Sequence, residues 1–232
     1  MSLAIRIIPK LDIKGPNLVK GIHLEGLRVL GKPEQFAKYY YEQGADEIIY
    51  QDVVASLYGR EGFMDLVMQT ANELFIPLTV GGGLRTVNDI HKVLRHGADK
   101  VSLNTQVLLR PEFIKEASML FGNQCIVVAL EVIPTSDGRG WEPLFNNGRE
   151  HTGLDAEKWA ERAVDLGAGE LLITSINKEG TKKGFDFEFA DRLIDKLQIP
   201  IVLHGGAGSA EHIIEAARKG YSGVAISSIL HY

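Results

Sequence analysis

The sequence lacks the features that hold a protein in a membrane, cross-link it or attach it to nucleic acid. Its only cysteine is Cys125, which excludes a disulfide within the chain. No apolar run approaches the roughly 20 residues of a transmembrane helix, and no signal-peptide pattern opens the chain. The net charge of −5 disfavours a broad nucleic-acid-binding surface. We therefore expect a soluble cytoplasmic protein that binds neither membranes nor nucleic acids.

An internal repeat organises the sequence. Residues Ile76–Thr105 and Ile199–Ser228 align without a gap at an offset of 123 positions (199 − 76). Each segment reads as a strand, a glycine-rich loop, a helix, a turn and a second strand. A repeat of this length indicates that the chain contains two copies of one structural plan.

Short apolar runs alternate with amphipathic segments along the chain, as in proteins with buried parallel strands. The predicted strands are Ile5–Leu11, Glu47–Gln51, Leu78–Val80, Lys100–Leu103, Cys125–Leu130, Glu170–Thr174, Ile201–Leu203 and Gly223–Ile226. The predicted helices are Pro33–Gln43, Arg60–Leu74, Val87–His96, Pro111–Phe121, Asp155–Leu166, Phe187–Leu197 and Ala210–Lys219. Eight strands and a half-chain repeat predict an α/β fold, a (β/α)₈ barrel in one domain over residues 1–232, rather than an open doubly wound sheet.

A barrel of this kind expects an eighth helix, and the sequence does not provide one. Only Ser228-Ile-Leu-His-Tyr232 follows the last predicted strand. We expect the C-terminal helix to be missing, so that either the sequence is shortened or something else covers the apolar groove over strands eight and one.

Two acidic residues end equivalent strands of the two halves. Asp12 closes the first predicted strand and Glu131 the fifth, at an offset of 119 positions (131 − 12). The carboxyl ends of barrel strands carry the active site in this fold. Asp12 and Glu131 are therefore candidates for a general acid and base pair, although each could instead cap a loop or helix.

Glycine-rich loops follow the third and seventh predicted strands, and polar residues end the strand after each. Glycine allows backbone N–H groups to approach an anion, and a helix N-terminus adds its dipole. The residues of what we term the first cradle are Gly82, Gly83, Asn104 and Thr105, and those of the second cradle are Gly205, Gly206, Ser227 and Ser228. Two such loops predict an elongated ligand with a phosphate at each end, whereas one alone would indicate only a tight turn.

Charged residues also stand at both ends of the predicted barrel. Lys20 lies in the long first loop, which is typical of a lid, and is either a ligand-binding or a solvated lysine. What we term the charge ring occupies the amino-terminal edges of four strands and consists of Arg6, Glu47, Lys100 and Glu170. Buried charges must be paired, so this ring is either a structural plug or a gate on a passage through the barrel.

The motifs together resemble those of the cyclase subunit of imidazole glycerol phosphate synthase, an enzyme of histidine biosynthesis. The resemblance runs from Arg6 to Tyr232 and is carried by RIIPKLD, LVKG, QDVVAS, PLTVGGGLR, GADKVSLNT, CIVVALE, LGAGELLITSINKEGTKKGFD and HGGAG. It implies a (β/α)₈ barrel that receives ammonia from a glutaminase subunit docked at the amino-terminal face. The ammonia would react with a bisphosphate ribulosyl-aminoimidazole carboxamide, giving imidazole glycerol phosphate and an aminoimidazole carboxamide ribotide. No metal or organic cofactor is implied.

The resemblance implies roles for individual residues and also shows departures from the family pattern. Asp12 and Lys20 match catalytic positions, Asp52 matches an acid near the first cradle, and the charge ring matches an ammonia gate. The departures lie at the opposite end from the ring, where substrate-binding or catalytic positions carry Lys10, Glu131, Asn177, Glu179 and His204 instead of the usual residues.

Four functions stay open at this point. The first is the histidine-pathway cyclase. The second is a paralogous ammonia-dependent enzyme that forms an acetamidino sugar for surface-polysaccharide biosynthesis, suggested by the altered mouth. The third is the related ketol-isomerase, against which the charge ring argues. The fourth is a non-catalytic phosphate-ligand module or scaffold for a glutaminase.

Overall fold

The computed structural model describes residues 4–54 and 61–232, and eight of its strands close into a parallel barrel. The barrel strands, in chain order, are β1 (Arg6–Lys14), β4 (Ile48–Asp52), β5 (Leu78–Gly81), β6 (Lys100–Leu103), β7 (Ile126–Pro134), β10 (Glu170–Ser175), β11 (Ile201–His204) and β12 (Gly223–Ile226). Parallel pairing of β1 with β12, and of β7 with β10, completes the circle. The predicted (β/α)₈ barrel is confirmed.

Helices surround the barrel, and most begin as their sequences predict. They are α1 (Pro33–Glu42), α2 (Glu61–Glu73), α3 (Val87–Arg95), α4 (Thr105–Leu109), α5 (Glu112–Phe121), α6 (Ala156–Asp165), α7 (Phe187–Ile194), α8 (Ala210–Arg218) and α9 (Ser228–His231). At α3, Thr86 accepts a hydrogen bond from the Asp89 N–H and the Asp89 carboxylate accepts one from the Thr86 N–H, a capping box. The predicted start of α2 at Arg60 lies outside the described residues.

Two antiparallel extensions were not predicted. The long first loop forms a hairpin of β2 (Asn17–Ile22) and β3 (Glu25–Gly31), with β2 paired to β1. The loop after β7 forms β8 (Trp141–Phe145) and β9 (Glu150–His151), with β8 paired to β7. Each half-barrel therefore carries a hairpin on its first strand, above the carboxyl ends of the barrel strands.

The internal repeat is reproduced residue by residue. β5 and β11, α3 and α8, and β6 and β12 each begin 123 positions apart. By the same offset α9 is the counterpart of the short helix α4, and the counterpart of α5 would begin at position 235 (112 + 123), after Tyr232. The one-turn helix α9 was not predicted.

Alternate residues of each barrel strand point inward, which divides the barrel interior into layers. Along β1, Arg6, Ile8, Lys10 and Asp12 share the inner face. The middle layer is apolar and fully buried, and consists of Ile8, Ile49, Val127, Leu172, Val202 and Ala225. It separates the charge ring below from the polar residues above. Within the described ranges, no helix combines the length and apolar character needed to cross a membrane.

Candidate active site

Asp12 and Glu131 occupy equivalent positions at the barrel mouth, where β1 and β7 each extend into an antiparallel hairpin. Asp12 lies opposite Gln51 of β4 and Val19 of β2. Glu131 lies opposite Thr174 of β10 and Leu144 of β8. The local backbone settings of the two carboxylates therefore match, and differences between them must come from neighbouring side chains.

Asp12 is held by two buried lysines. One carboxylate oxygen contacts the Lys10 ammonium, and the other lies 3.3 Å from Lys20 Nζ. Lys20 is also paired with Glu179, and Glu179 Oε2 accepts a hydrogen bond of 2.9 Å from the Leu24 N–H. The β2–β3 hairpin is thereby fixed to the loop after β10. These four charged side chains, Lys10, Asp12, Lys20 and Glu179, are the paired cluster below.

Electrostatics keep Asp12 ionised. Burial alone would raise the pKa of its carboxyl group, but the charges of Lys10 and Lys20 outweigh that effect and hold the pKa well below its ordinary value. Burial would likewise lower the pKa of Lys20, and the carboxylates of Asp12 and Glu179 raise it instead. His204, at the end of β11, is buried, and burial together with the two lysines keeps its pKa well below the ordinary value. Its Nδ1 lies 3.1 Å from Thr174 Oγ1.

Glu131 has a different environment. It is partly buried, its Oε2 is buried without a hydrogen-bond partner among the described residues, and its carboxylate accepts a hydrogen bond from the Gly148 N–H. Burial raises the pKa of Glu131 to about 7, against the opposing effect of Lys10. A carboxyl group that changes its charge near neutral pH is suited to general acid or base chemistry.

The first cradle opens onto a cavity of about 500 Å³, beside Glu131. Gly82 and Gly83 have φ angles of 103° and 59°, values that glycine adopts without strain. The Asn104 amide donates to Ala129 O and Leu144 O, both at 3.1 Å, which fixes its orientation. The cavity is lined by Gln51, Asp52, Gly82, Gly83, Asn104, Thr105 and Glu131, among others. The residues predicted for this end of the ligand are thus brought together.

The second cradle has almost no free space in this structure. Its cavity measures about 20 Å³ and is bounded by Glu179 and His204 as well as by the predicted Gly205, Gly206, Ser227 and Ser228. The loop after β10 rests on it, since the Gly184 N–H donates to Gly206 O at 2.7 Å. Ser227 Oγ donates to Lys10 O at 2.7 Å, which connects the cradle to β1.

One predicted residue lies outside the two cavities, and two lining residues were not predicted. Asn177, a predicted substrate-binding residue, is exposed on the turn after β10 and is not among the residues that line either cavity, so its role stays a prediction. Arg149 and Asn146 line the first cavity from the β8–β9 turn and were not predicted. Asn146-Asn147-Gly148 was the available signal, because these residue types favour the left-handed turn that they form here.

The charge ring is closed at the opposite end of the barrel. Arg6 binds Glu47 at 3.0 Å and Glu170 at 2.8 Å, while Lys100 lies 2.9 Å from Glu47 and 3.6 Å from Glu170. Thr79 Oγ1 donates to Glu47 Oε1 at 2.6 Å. Burial alone would lower the pKa of the Arg6 guanidinium, but Glu170 and Glu47 outweigh it and the pKa is raised.

No group of three or more His, Cys, Asp or Glu side chains that could hold a metal ion occurs in residues 4–54 or 61–232. The expectation that the protein uses no metal or organic cofactor stays a prediction.

Comparison with known proteins identifies the family. The profile of a family described as "Histidine biosynthesis protein" matches residues 6–232. The chain belongs to this histidine biosynthesis family. It is 52% identical over 207 residues to the imidazole glycerol phosphate synthase subunit HisF of Legionella pneumophila. This alignment covers 89% of this chain and 97% of that protein. It is 44% identical over 237 aligned positions to the subunit of the same name from Nocardia farcinica (strain IFM 10152), covering 100% of this chain and 92% of that protein. The resemblance drawn from the family motifs is confirmed.

Proposed function

We propose that the chain is the cyclase subunit of an imidazole glycerol phosphate synthase and acts in histidine biosynthesis. The observation that carries this proposal is the closed charge ring at one end of the barrel, with an apolar layer and two carboxylates in line above it. A ketol-isomerase or a simple phosphate-binding module has no use for a gated axial passage, whereas an enzyme supplied with ammonia does. The names of the two relatives agree with this choice.

Ammonia would enter through the charge ring and cross the apolar layer as the neutral molecule. A neutral molecule passes such a layer at lower cost than ammonium, whose charge would have to be desolvated. The four ring residues are fully paired with one another, so entry requires at least one of their ion pairs to open. The paired ring therefore acts as a gate in this proposal.

At the mouth, the bisphosphate would lie across the barrel with one phosphate at each cradle and its reacting atoms between Asp12 and Glu131. Lys20, paired with Asp12 and Glu179, would move toward the ligand when the hairpin opens. The second cradle needs displacement of the loop after β10, because only about 20 Å³ is free there. The two products would be imidazole glycerol phosphate and an aminoimidazole carboxamide ribotide.

The glutaminase partner would dock at the amino-terminal face of the barrel. Three large apolar side chains are exposed where α2 and α5 end, next to the starts of the following strands: Phe75 is 84% exposed, Met119 77% and Leu120 64%. Exposed apolar groups of this size are common at protein interfaces. A cytoplasmic location, which a partner of this kind would share, stays a prediction.

The test is ammonium-dependent turnover of the bisphosphate, followed by its loss of absorbance, with Asp12→Asn as the inactivating variant. The matched control is Asp137→Asn, which removes an acid at the exposed tip of the β7–β8 hairpin. Turnover abolished in the first variant and retained in the second supports the proposal. A folded wild-type protein that leaves the bisphosphate unchanged contradicts it.

Glutamine-driven turnover with an added glutaminase tests the gate separately. Glu170→Gln removes a ring carboxylate that both Arg6 and Lys100 contact, and we expect glutamine-driven turnover to fall about tenfold while ammonium-driven turnover is retained. A fall of both activities by the same factor would assign the ring a structural role instead.

A second candidate is the paralogous enzyme that forms an acetamidino sugar. The observation in its favour is that the second cradle is nearly closed, with Lys10 and His204 buried beside it. A ligand with one phosphate-bearing end needs only the open first cradle. If the bisphosphate is not converted, acetamido sugar nucleotides with ammonium are the next substrates to test.

A further inference from the structure

Lys10 stands at an unusual place for a lysine. It is 6% exposed, lies on the inner face of β1 directly above the apolar layer, and points into the mouth beside Asp12. An ammonium group taken out of water is costly unless an anion offsets it. The Lys10 backbone is also fixed, because its carbonyl accepts the hydrogen bond of Ser227 Oγ.

Positive and negative charges are equal in number within the paired cluster. The paired cluster contains two ammonium groups, from Lys10 and Lys20, and two carboxylates, from Asp12 and Glu179. His204 adds no charge in its neutral form. Each carboxylate of the cluster is thus matched by a lysine, whereas Glu131, on the opposite side of the mouth, has no cation within ion-pair distance among the described residues.

We propose that Lys10 is a positioning residue that occupies Asp12 in an ion pair, so that Glu131 is the carboxyl group that exchanges protons with the substrate. This inference rests on the proposed function only for the identity of the substrate. Asp12 then contributes a fixed negative charge at the mouth. Glu131, as the carboxylate, accepts a proton from a substrate N–H or O–H and later returns it, which leaves the enzyme unchanged over a cycle.

The groups that face the two carboxylates come from several elements. Asp12 is surrounded by Lys10 of β1, Lys20 of β2, His204 of β11 and His231 of α9. The charges of Lys10 and Lys20 outweigh the effect of burial and favour the Asp12 anion.

Glu131 is influenced by Lys10 and Asp12 across the mouth and by the Gly148 N–H, and it shares its cavity with the charged residues Asp52, Arg85, Arg149 and Glu150. Arg149 is engaged at 2.8 Å with Glu25. Of all these groups, Lys10 alone is in direct contact with Asp12 and also lowers the pKa of Glu131.

The direct test is a pH titration of the side-chain carboxyl carbons by ¹³C NMR, on the full chain labelled at aspartate and glutamate, without substrate. Glu131→Gln and Asp12→Asn assign the two signals. In the wild-type protein we expect Glu131 to titrate near pH 7 and Asp12 to stay ionised throughout the neutral range. Asp12 titrating near neutral pH while Glu131 does not would overturn the proposal.

Lys10→Met, which keeps the length of the side chain but removes its charge, should raise the midpoint of Glu131 by about one pH unit. Lys10→Arg, which keeps the charge, should restore the wild-type midpoint. An unchanged Glu131 midpoint in Lys10→Met contradicts the role of Lys10. If neither variant folds, the wild-type titration decides alone.

The pH profile of kcat then distinguishes a positioning role of Lys10 from a purely structural one. In Lys10→Met the acidic limb should move to higher pH together with the Glu131 signal, and kcat should recover at high pH. A structural defect lowers kcat by one factor at every pH, and that result would overturn the proposal. A wild-type protein with the expected titration but no turnover of the bisphosphate would contradict the proposed function and not the position of the proton.

Discussion

The two sides of the barrel mouth are built from equivalent positions of two half-barrels, yet they differ in charge and in space. On the paired side, Asp12 is bound by two lysines and the second cradle is closed to about 20 Å³. On the open side, Glu131 has a buried oxygen without a partner among the described residues, beside a cavity of about 500 Å³. The two half-barrels thus share one backbone arrangement, and the neighbouring side chains determine which of the two carboxyl groups is free to react.

Gly206→Ala should push the loop after β10 away from the second cradle, which this loop closes. Gly206 has φ 106°, and a Cβ there would lie 2.0 Å from Gly184 O. Because both strain and a backbone clash result, Gly206→Ala should lower the free energy of unfolding by about 3 kcal/mol or more. Urea denaturation measures this.

The matched control for that change is Gly44→Ala. Gly44 has φ 90° but no atom within 4 Å of an added Cβ, so only the backbone strain of about 1 kcal/mol should appear. Equal losses in the two variants would show that contact between the loop and the second cradle adds nothing to stability.

On the open side, Glu131→Asp moves the carboxyl group back by one carbon–carbon bond. A displacement of about 1 Å at a reacting group can cost up to a hundredfold in rate, so we expect kcat to fall tenfold or more. Steady-state kinetics with saturating ammonium measure the change. Glu142→Asp on β8, where the carboxylate lies 2.9 Å from His151 outside the cavity, is the control and should retain the wild-type rate.

The unusual pKa of Glu131 also predicts how stability changes with pH. The unfolded carboxyl group loses its proton near pH 4.5 and the folded one near pH 7, so the contribution of Glu131 to stability is present at low pH and is lost as the pH rises between these values. At pH 8, Glu131→Gln should therefore be more stable than the wild-type protein by about 3 kcal/mol.

The same pair of proteins compared at pH 4 provides the control, because both side chains are then neutral and the difference in unfolding free energy should nearly vanish. A stability difference that does not vary between pH 4 and pH 8 would place the folded pKa of Glu131 at its ordinary value. The two sides of the mouth would then differ only in space.

Part of this contrast could be read from the sequence. The barrel, the half-chain repeat and the ring of four charges follow from local patterns, since each depends on strand periodicity and on where a strand begins or ends. The inward direction of Lys10 was also readable, because Arg6, Ile8, Lys10 and Asp12 alternate along β1 on one face.

The pairing of these residues was not readable. Asp12 is also bound by Lys20, which reaches it from the β2–β3 hairpin and is itself paired with Glu179, 159 positions away in sequence. The hairpins themselves were missed because antiparallel pairing of a loop onto a barrel strand is a tertiary contact, which single-strand propensity describes poorly. The size of each cavity depends on the same contacts.

The smallest effect on stability is expected at the contact between α9 and α1, on the outside of the barrel. Tyr40 donates to Leu230 O at 3.1 Å, and its oxygen lies 2.7 Å from His231 Nδ1, with the two rings stacked. Burial lowers the pKa of His231 to about 4, so the ring is neutral at pH 7 and its Nδ1–H can donate to the tyrosine oxygen. Tyr40→Phe removes both hydrogen bonds and should cost about 1 kcal/mol of unfolding free energy.

Tyr39→Phe, on the same helix with a side chain that is 56% exposed, should change stability by less than about 0.5 kcal/mol. Equal effects of the two substitutions would mean that this contact does not hold α9 to the barrel. The contact could then not stabilise the second cradle, whose residue Ser228 is the first residue of α9.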